Sequence, residues 1–330
     1  MPPSRLERYQ GAMIGVLCGD ALGAPYEMKK AGEIFQDLDS RGGLTLFDYT
    51  DPWGKKRKIP KGHPTDDSEL SAALAQSFVS CNGFDPIDVY HSLRKFILLR
   101  RPILTEGEAF GTGGTLRDAL SAGSYEESLK KFDRGEIRTT PSNGSLMRCI
   151  SVPLFYHPQP DQLMKIADKQ SVITHVNERP RAACVAYSKL IHYILYNHTP
   201  ADAWYETKIK LKPLAPWLGF NSKALEEVAQ ISVSEPSESE IWPLPGAALT
   251  SLRVAVWAAS TATSFADGIT KSITVGGDTD TYAAITGGIL GAYYGINGIP
   301  EEWSQCLIGK ETMIKLGQQL YQASTQLDQC

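Results

Sequence analysis

Apolar residues recur three and four positions apart through most of this chain, in alanine-rich stretches with little proline. That spacing predicts helices over 69–78, 86–99, 162–173, 179–196, 246–260, 282–294 and 312–320. Alternating runs are scarce, and 43–48 is the one short strand the pattern suggests. Two stretches break the helical spacing. Residues 41–64 are rich in Gly, Pro and charge, and 232–245 carry Ser, Glu and three prolines, which reads as an exposed loop. Strand and helix do not alternate, so a doubly wound sheet is excluded, and no fixed-period repeat calls for a solenoid. The expectation is an all-α chain, 1–330 forming a single compact multi-helix domain.

Composition changes this picture little. With 330 residues, 42% of them hydrophobic, the chain can bury a large core without disulfide or zinc staples. A balance of 33 basic against 37 acidic residues, net charge −4, argues against a nucleic-acid surface spread over the protein. No apolar run reaches the length of a membrane span, and the most apolar stretch, 246–260, carries Arg253 at its middle. Arg5 and Arg8 precede the apolar run 12–18, with Ala21-Leu22-Gly23 where a leader would be cut. Glu7, Gln10 and Asp20 spoil that reading, and a cytoplasmic location is expected. The six cysteines are scattered with no C-x-x-C pair, which fits reduced thiols better than a disulfide framework. Lys55-Lys56-Arg57-Lys58 reads as a solvated loop rather than a phosphate site.

Two acidic clusters, far apart in sequence, each open a helical pattern: Thr65-Asp66-Asp67 and Gly276-Gly277-Asp278-Thr279-Asp280-Thr281. Thr65 is a good N-cap, and acids in a first turn complement the helix dipole, so either cluster alone is explained by capping. The second holds more acid than one helix end needs. If the two meet, four carboxylates repel, and two divalent ions would balance them. Carboxylates and hydroxyls without sulfur or imidazole suit Mg²⁺ or Mn²⁺. Asp278-Thr279-Asp280 also matches the D-x-D of haloacid-dehalogenase-like phosphatases and of nucleotide-sugar transferases. Tyr282 and the preceding glycines do not fit the former, and the latter need an α/β scaffold.

Four ordered motifs together resemble the ADP-ribosylglycohydrolases, the group of dinitrogenase-reductase-activating glycohydrolase. They are the run from Gly11 through Gly19-Asp20-Ala21-Leu22-Gly23-Ala24-Pro25-Tyr26 to Glu27, then Thr65-Asp66-Asp67, then Asn143-Gly144-Ser145-Leu146-Met147-Arg148, and Gly277-Asp278-Thr279-Asp280-Thr281. The resemblance spans 11–295. It implies an all-α fold with a two-metal cleft between helix N-termini, two Mg²⁺ (or Mn²⁺) ions, and cleavage of ADP-ribose from modified side chains. On that resemblance Thr65, Asp66, Asp67, Asp278, Asp280 and Thr281 are metal ligands, and Glu27 activates water. Asn143, Gly144, Ser145, His175 and Gly277 approach the ADP-ribose, with Gly111-Thr112-Gly113-Gly114 a weaker candidate. Taken singly, Asn143 reads equally as a helix cap, and His175 as a core histidine.

Two departures stand out. Ser68 replaces a common threonine, and no aromatic lies inside the central motif, which leaves Tyr125, Phe132 or Phe155 to stack adenine. The expected partner is an ADP-ribosylated protein, arginine-linked before serine-linked, with no membrane and no nucleic acid. The alternatives are a free derivative such as O-acetyl-ADP-ribose, or a relative that binds ADP-ribose without catalysis.

Overall fold

The computed structural model describes residues 2–51, 57–106, 111–211, 218–219 and 222–329. Seventeen α-helices and one two-stranded sheet lie within them. The first six helices are α1 (Arg5–Gly23), α2 (Ala31–Arg41), α3 (Asp66–Cys81), α4 (Pro86–Ile97), α5 (Gly114–Leu120) and α6 (Tyr125–Asp133). Then come α7 (Ser151–Tyr156), α8 (Pro160–Val172), α9 (Glu178–Leu195), α10 (Pro200–Leu211), α11 (Ser222–Ala229) and α12 (Glu238–Ile241). The last five are α13 (Ala248–Ser260), α14 (Phe265–Thr274), α15 (Thr279–Tyr294), α16 (Glu301–Ser304) and α17 (Lys310–Leu327).

Every helix that the apolar spacing predicts is present. The ends follow from caps the spacing does not weigh. Ser4 and Glu7 close a capping box on α1, and Asp85 caps α4 ahead of Pro86. The strand expected over 43–48 is absent; those residues run without regular pairing, and the short sheet pairs Tyr49–Thr50 with Lys58–Ile59 instead. The loop expected over 232–245 contains α12, whose Ile241 is buried against Val254 and Tyr282. Part of the basic run, Lys55 and Lys56, lies outside the described residues, as does Cys330. The other five cysteines are free thiols. No helix among the described residues is long and apolar enough to cross a membrane.

The centre of the fold is an antiparallel pair, α1 against α15. Gly11, Gly15, Gly19 and Gly23 recur every fourth residue and so share one face of α1. A Cβ on any of them would run into the backbone of α15, at Gly291, Gly287, Ala283 and Thr279 in turn. The small residues therefore let the two backbones touch, and α1 is buried from Gly11 to Gly23, as are Arg8 and Tyr9. Helices α13 and α14 pack on α15, and α17 packs on α1. One hydrophobic core runs continuously through these helices and on to α3, α8 and α9. Close approach at Gly19 and Gly23 seats Asp20 of α1 beside Asp280 of α15, and this contact positions the site.

Candidate active site

The start of α3 is fastened to α1 by one carboxylate. Thr65 is its N-cap: the Thr65 Oγ1 accepts from the Asp67 N–H at 3.3 Å and donates to Asp20 Oδ1 at 2.8 Å. Asp20 also accepts from the backbone N–H of Thr65 (3.0 Å) and of Ser68 (3.1 Å), and from the Ser68 hydroxyl at 2.5 Å. A serine at position 68 thus supplies the hydroxyl that this carboxylate needs. Burial raises Asp20 to about 6, against the pull of those donors.

The start of α15 is fixed from the other side. Gly276 and Gly277 adopt φ of +73° and +88°, a conformation that favours glycine, and a Cβ at Gly276 would meet the Lys29 carbonyl at 2.6 Å. Met28 N–H donates to the Gly277 carbonyl at 2.7 Å, and Gly277 N–H to that of Lys29 at 3.1 Å. This exchange delivers Glu27 to the head of α15. Oxygens of Glu27, Asp278 and Asp280 lie within 4.8 Å of one another, and so do oxygens of Asp20, Asp67 and Asp280. Asn143 reaches across: its Nδ2 donates to Asp278 Oδ2 at 2.6 Å and to Ser251 Oγ at 2.9 Å. Asn143 therefore braces an acid and does not cap a helix, since 143–150 is a series of turns before α7.

The two acidic clusters thus meet, joined by Asp20 and Glu27. Burial, and after it the neighbouring carboxylates, hold Asp66, Asp67 and Asp280 well above the usual carboxylate range; burial also raises Asp278. Asp67 Oδ1 is buried with no hydrogen-bond partner among the described residues. An orphaned carboxylate oxygen inside an all-oxygen, acidic donor set is what a hard divalent cation satisfies, so these residues fit such an ion. The Tyr49 hydroxyl is likewise buried with no hydrogen-bond partner among the described residues; burial and the charges of Asp20, Asp280 and Glu27 keep it protonated.

A cleft of about 570 Å³ opens over this centre. Residues 1–329 match the family described as ADP-ribosylglycohydrolase. The chain belongs to that family. It is 25% identical to the ADP-ribosylarginine hydrolase Tri1 of Serratia proteamaculans (strain 568), over 98% of this chain and 81% of that one. It is 25% identical to the ADP-ribosyl-[dinitrogen reductase] glycohydrolase of Rhodospirillum rubrum, over 91% and 90%. For the ADP-ribosylhydrolase ARH3 of Bos taurus the identity is 25%, over 96% and 93%. A solved structure titled ADP-ribosylglycohydrolase-related protein complex superposes with a TM-score of 0.73 at 27% identity, covering 97% of this chain and 99% of that one. This ADP-ribosylglycohydrolase is accordingly an enzyme of the ADP-ribosyl hydrolase class.

In this family member the cleft has an acidic floor and a mixed far wall. Glu27, Asp66, Asp67, Asp278, Asp280 and Thr281 line the floor; Asn143, Gly144, His175 and the loop Gly111–Gly114 line the wall, with Arg100 and Arg117 at its edge. Gly111 has φ +93°, and a Cβ there would strike Asp66 Oδ1 at 2.5 Å, so glycine lets the loop close on the acid. His175 is buried: its Nε2 shares a hydrogen bond with Ser142 Oγ (3.0 Å), its Nδ1 with Thr174 Oγ1 (2.8 Å), and burial lowers it to about 3. It is a neutral ring at the cleft wall.

Thr65, Ser145 and Gly277 are not among the cleft-lining residues. Thr65 stands behind Asp67 as the cap. Ser145 turns inward, sharing a hydrogen bond with Ser171 Oγ at 2.8 Å. Gly277 faces Ile241 and Pro245. Phe132 and Phe155 are buried in the core and Tyr125 packs against it, so none of the three lines the cleft. Sequence reasoning missed Asp20 and Asp51 as members of the site. An acid in the middle of the apolar run 12–24 was the available signal for Asp20. Asp51, buried at the cleft, lies in a polar stretch that carries no such contrast.

Proposed function

We propose that this protein hydrolyses the bond between C1″ of the distal ribose of ADP-ribose and an acceptor side chain on a modified protein, arginine-linked first and serine-linked second. The observation that carries the reading is the joining of the two acidic clusters around the orphaned Asp67 Oδ1 at the floor of a cleft. The arginine preference is supported by the names of two bacterial relatives, from Serratia proteamaculans and Pseudomonas putida, both ADP-ribosylarginine hydrolases.

In this reading Asp66, Asp67, Asp278 and Asp280, with the hydroxyls of Thr65 and Thr281, hold two Mg²⁺ or Mn²⁺ ions. When bound, such ions supply the positive charge against which sugar hydroxyls and a water are oriented. The Thr65 proton is committed to Asp20, which leaves its oxygen as a lone-pair donor. Asn143 fixes the rotation of the Asp278 carboxylate. Glu27 accepts a proton from the attacking water as its oxygen bonds to C1″. The electron pair of the breaking C1″–N or C1″–O bond leaves with the acceptor, and Glu27 returns the proton there. Gly144 and neutral His175 form the wall for the sugar and diphosphate, with Ser145 behind that wall and Gly277 holding the turn that carries Glu27 to the floor. The chain acts as one catalytic unit, 1–330, and its free thiols suit a cytoplasmic, reducing setting.

Turnover of arginine-linked protein, serine-linked protein and free O-acetyl-ADP-ribose, each with Mg²⁺, tests this proposal. Arginine-linked substrate is expected to turn over fastest. Preference for the free derivative would replace the protein substrate, and no hydrolysis of any of the three would overturn the catalytic reading.

A further inference from the structure

Behind the cleft wall lies a cation that no acid balances. Arg148 is wholly buried, and it takes part in none of the ion pairs among the described residues. Its guanidinium donates from Nη1 to the Gly144 carbonyl (3.1 Å), from Nη2 to the Gln170 carbonyl (2.9 Å) and from Nε to Gln170 Oε1 (3.1 Å). Gln170 completes the arrangement, donating from Nε2 to the Ser145 carbonyl at 3.1 Å. Burial lowers Arg148 only to about 10, so it is charged at neutral pH.

Sequestering an uncompensated guanidinium is costly, and an apolar residue of similar volume would fill the space at less expense. What an apolar residue cannot do is hold the Gly144 carbonyl directly, and the Ser145 carbonyl through Gln170, in a stretch of turns that has no regular ladder for them. That stretch runs from Asn143, which braces Asp278, through Gly144, which lines the cleft. The fit at Gly144 is close: a Cβ there would lie 3.0 Å from His175 Cε1 and 3.1 Å from Leu116 Cδ1. A small rotation of this peptide would move the cleft wall.

We propose that Arg148, acting through Gln170 and the carbonyls of Gly144 and Ser145, is a positioning residue that sets the substrate-facing backbone at 143–145. It touches neither substrate nor the acidic floor. The inference rests on the functional reading above, in which this wall meets ADP-ribose, and it assigns substrate affinity to a residue outside the cleft.

Two variants test it in the full-length protein, Arg148→Lys and Gln170→Glu. Lysine keeps the charge but lacks the planar fork. Glutamate gives Arg148 an acid and removes the donor to Ser145, and so keeps the core filled. The readouts are KM and kcat on the preferred substrate, ADP-ribose affinity by calorimetry with Mg²⁺, and the midpoint for Mg²⁺ alone. The expected result is a rise of about 10- to 100-fold in KM and in the ADP-ribose Kd, with kcat and the Mg²⁺ midpoint within about threefold of wild type. A merely structural role predicts a lower melting temperature with KM and Kd unchanged in the folded protein, and that result overturns the proposal. If Arg148→Lys does not fold, Gln170→Glu decides alone. Wild type that fails to bind ADP-ribose with Mg²⁺ present overturns the functional reading, separately from anything the variants do.

Discussion

Asp67 and Glu27 show how differently two acids of one site are built. Asp67 is buried at the cleft floor, one oxygen without a partner among the described residues, its carboxyl pushed up first by burial and then by Asp20 and Asp66. Glu27 lines the open side, brought there by a strained turn in which Met28 has φ +61°. Glu27→Gln is expected to lower kcat by about 10²–10⁴-fold while leaving Mg²⁺-dependent ADP-ribose binding intact, as initial rates and calorimetry on one preparation would show. Wild-type kcat in that variant would remove Glu27 from proton transfer. Buried histidines give a second residue-scale expectation. His157 is held neutral, lowered to about 3 chiefly by burial, whereas an unfolded chain protonates it near 6.5. Its contribution to stability is therefore full above about pH 6.5 and falls away as pH drops toward 3. His157→Gln should melt lower than wild type at pH 7.5, and the gap should narrow by pH 4.5; a constant gap contradicts this. The acids of the floor were legible in the sequence because they sit where capping does not need so many. Asp20 was not, because its partners Thr65 and Ser68 are some 45 residues away.

Helices α1 and α15 carry the site because their backbones touch. The fourfold glycine spacing on α1 is visible in the sequence, but it marks one face of a helix and does not name the partner that face meets. Only the packing shows Gly15 against Gly287, and hence Asp20 near Asp280. Gly15→Ala should cost at least about 1–3 kcal/mol in thermal unfolding, since its methyl would meet backbone with no room to yield. Gly32→Ala on α2, where nothing lies within 4 Å, should be neutral or slightly stabilising. Equal effects from the two would contradict the close packing of α1 on α15. Apolar periodicity found α3, α4, α8, α9, α13, α15 and α17 because each buries one stripe or more. It missed α1, whose close-packed face is made of glycines, along with α2, α10, α14 and shorter helices such as α12, a single turn held by Ser237 and Glu240. It also misplaced the sheet, whose pairing of Tyr49 with Ile59 joins residues across a polar loop.

At the scale of the whole molecule, an acidic floor sealed by helices is unstable against its own charge unless a cation balances it. Chelation at pH 7.5 should therefore lower the melting temperature, and Mg²⁺ or Mn²⁺ should restore it; an unchanged melting curve would mean the carboxylates share protons instead. The overall architecture, all-α with the acids at two helix starts, was legible because period and composition act locally. The shape of the cleft was not, since Gly111, Gly144 and His175 meet there from three separate segments. The measurement that reaches furthest is calorimetric titration of ADP-ribose, with and without Mg²⁺, into wild type and Asp280→Asn. Binding that requires Mg²⁺ and is lost in the variant is the predicted result. Binding that ignores both the ion and the substitution, or no binding at all, would contradict a cation-centred ADP-ribose site.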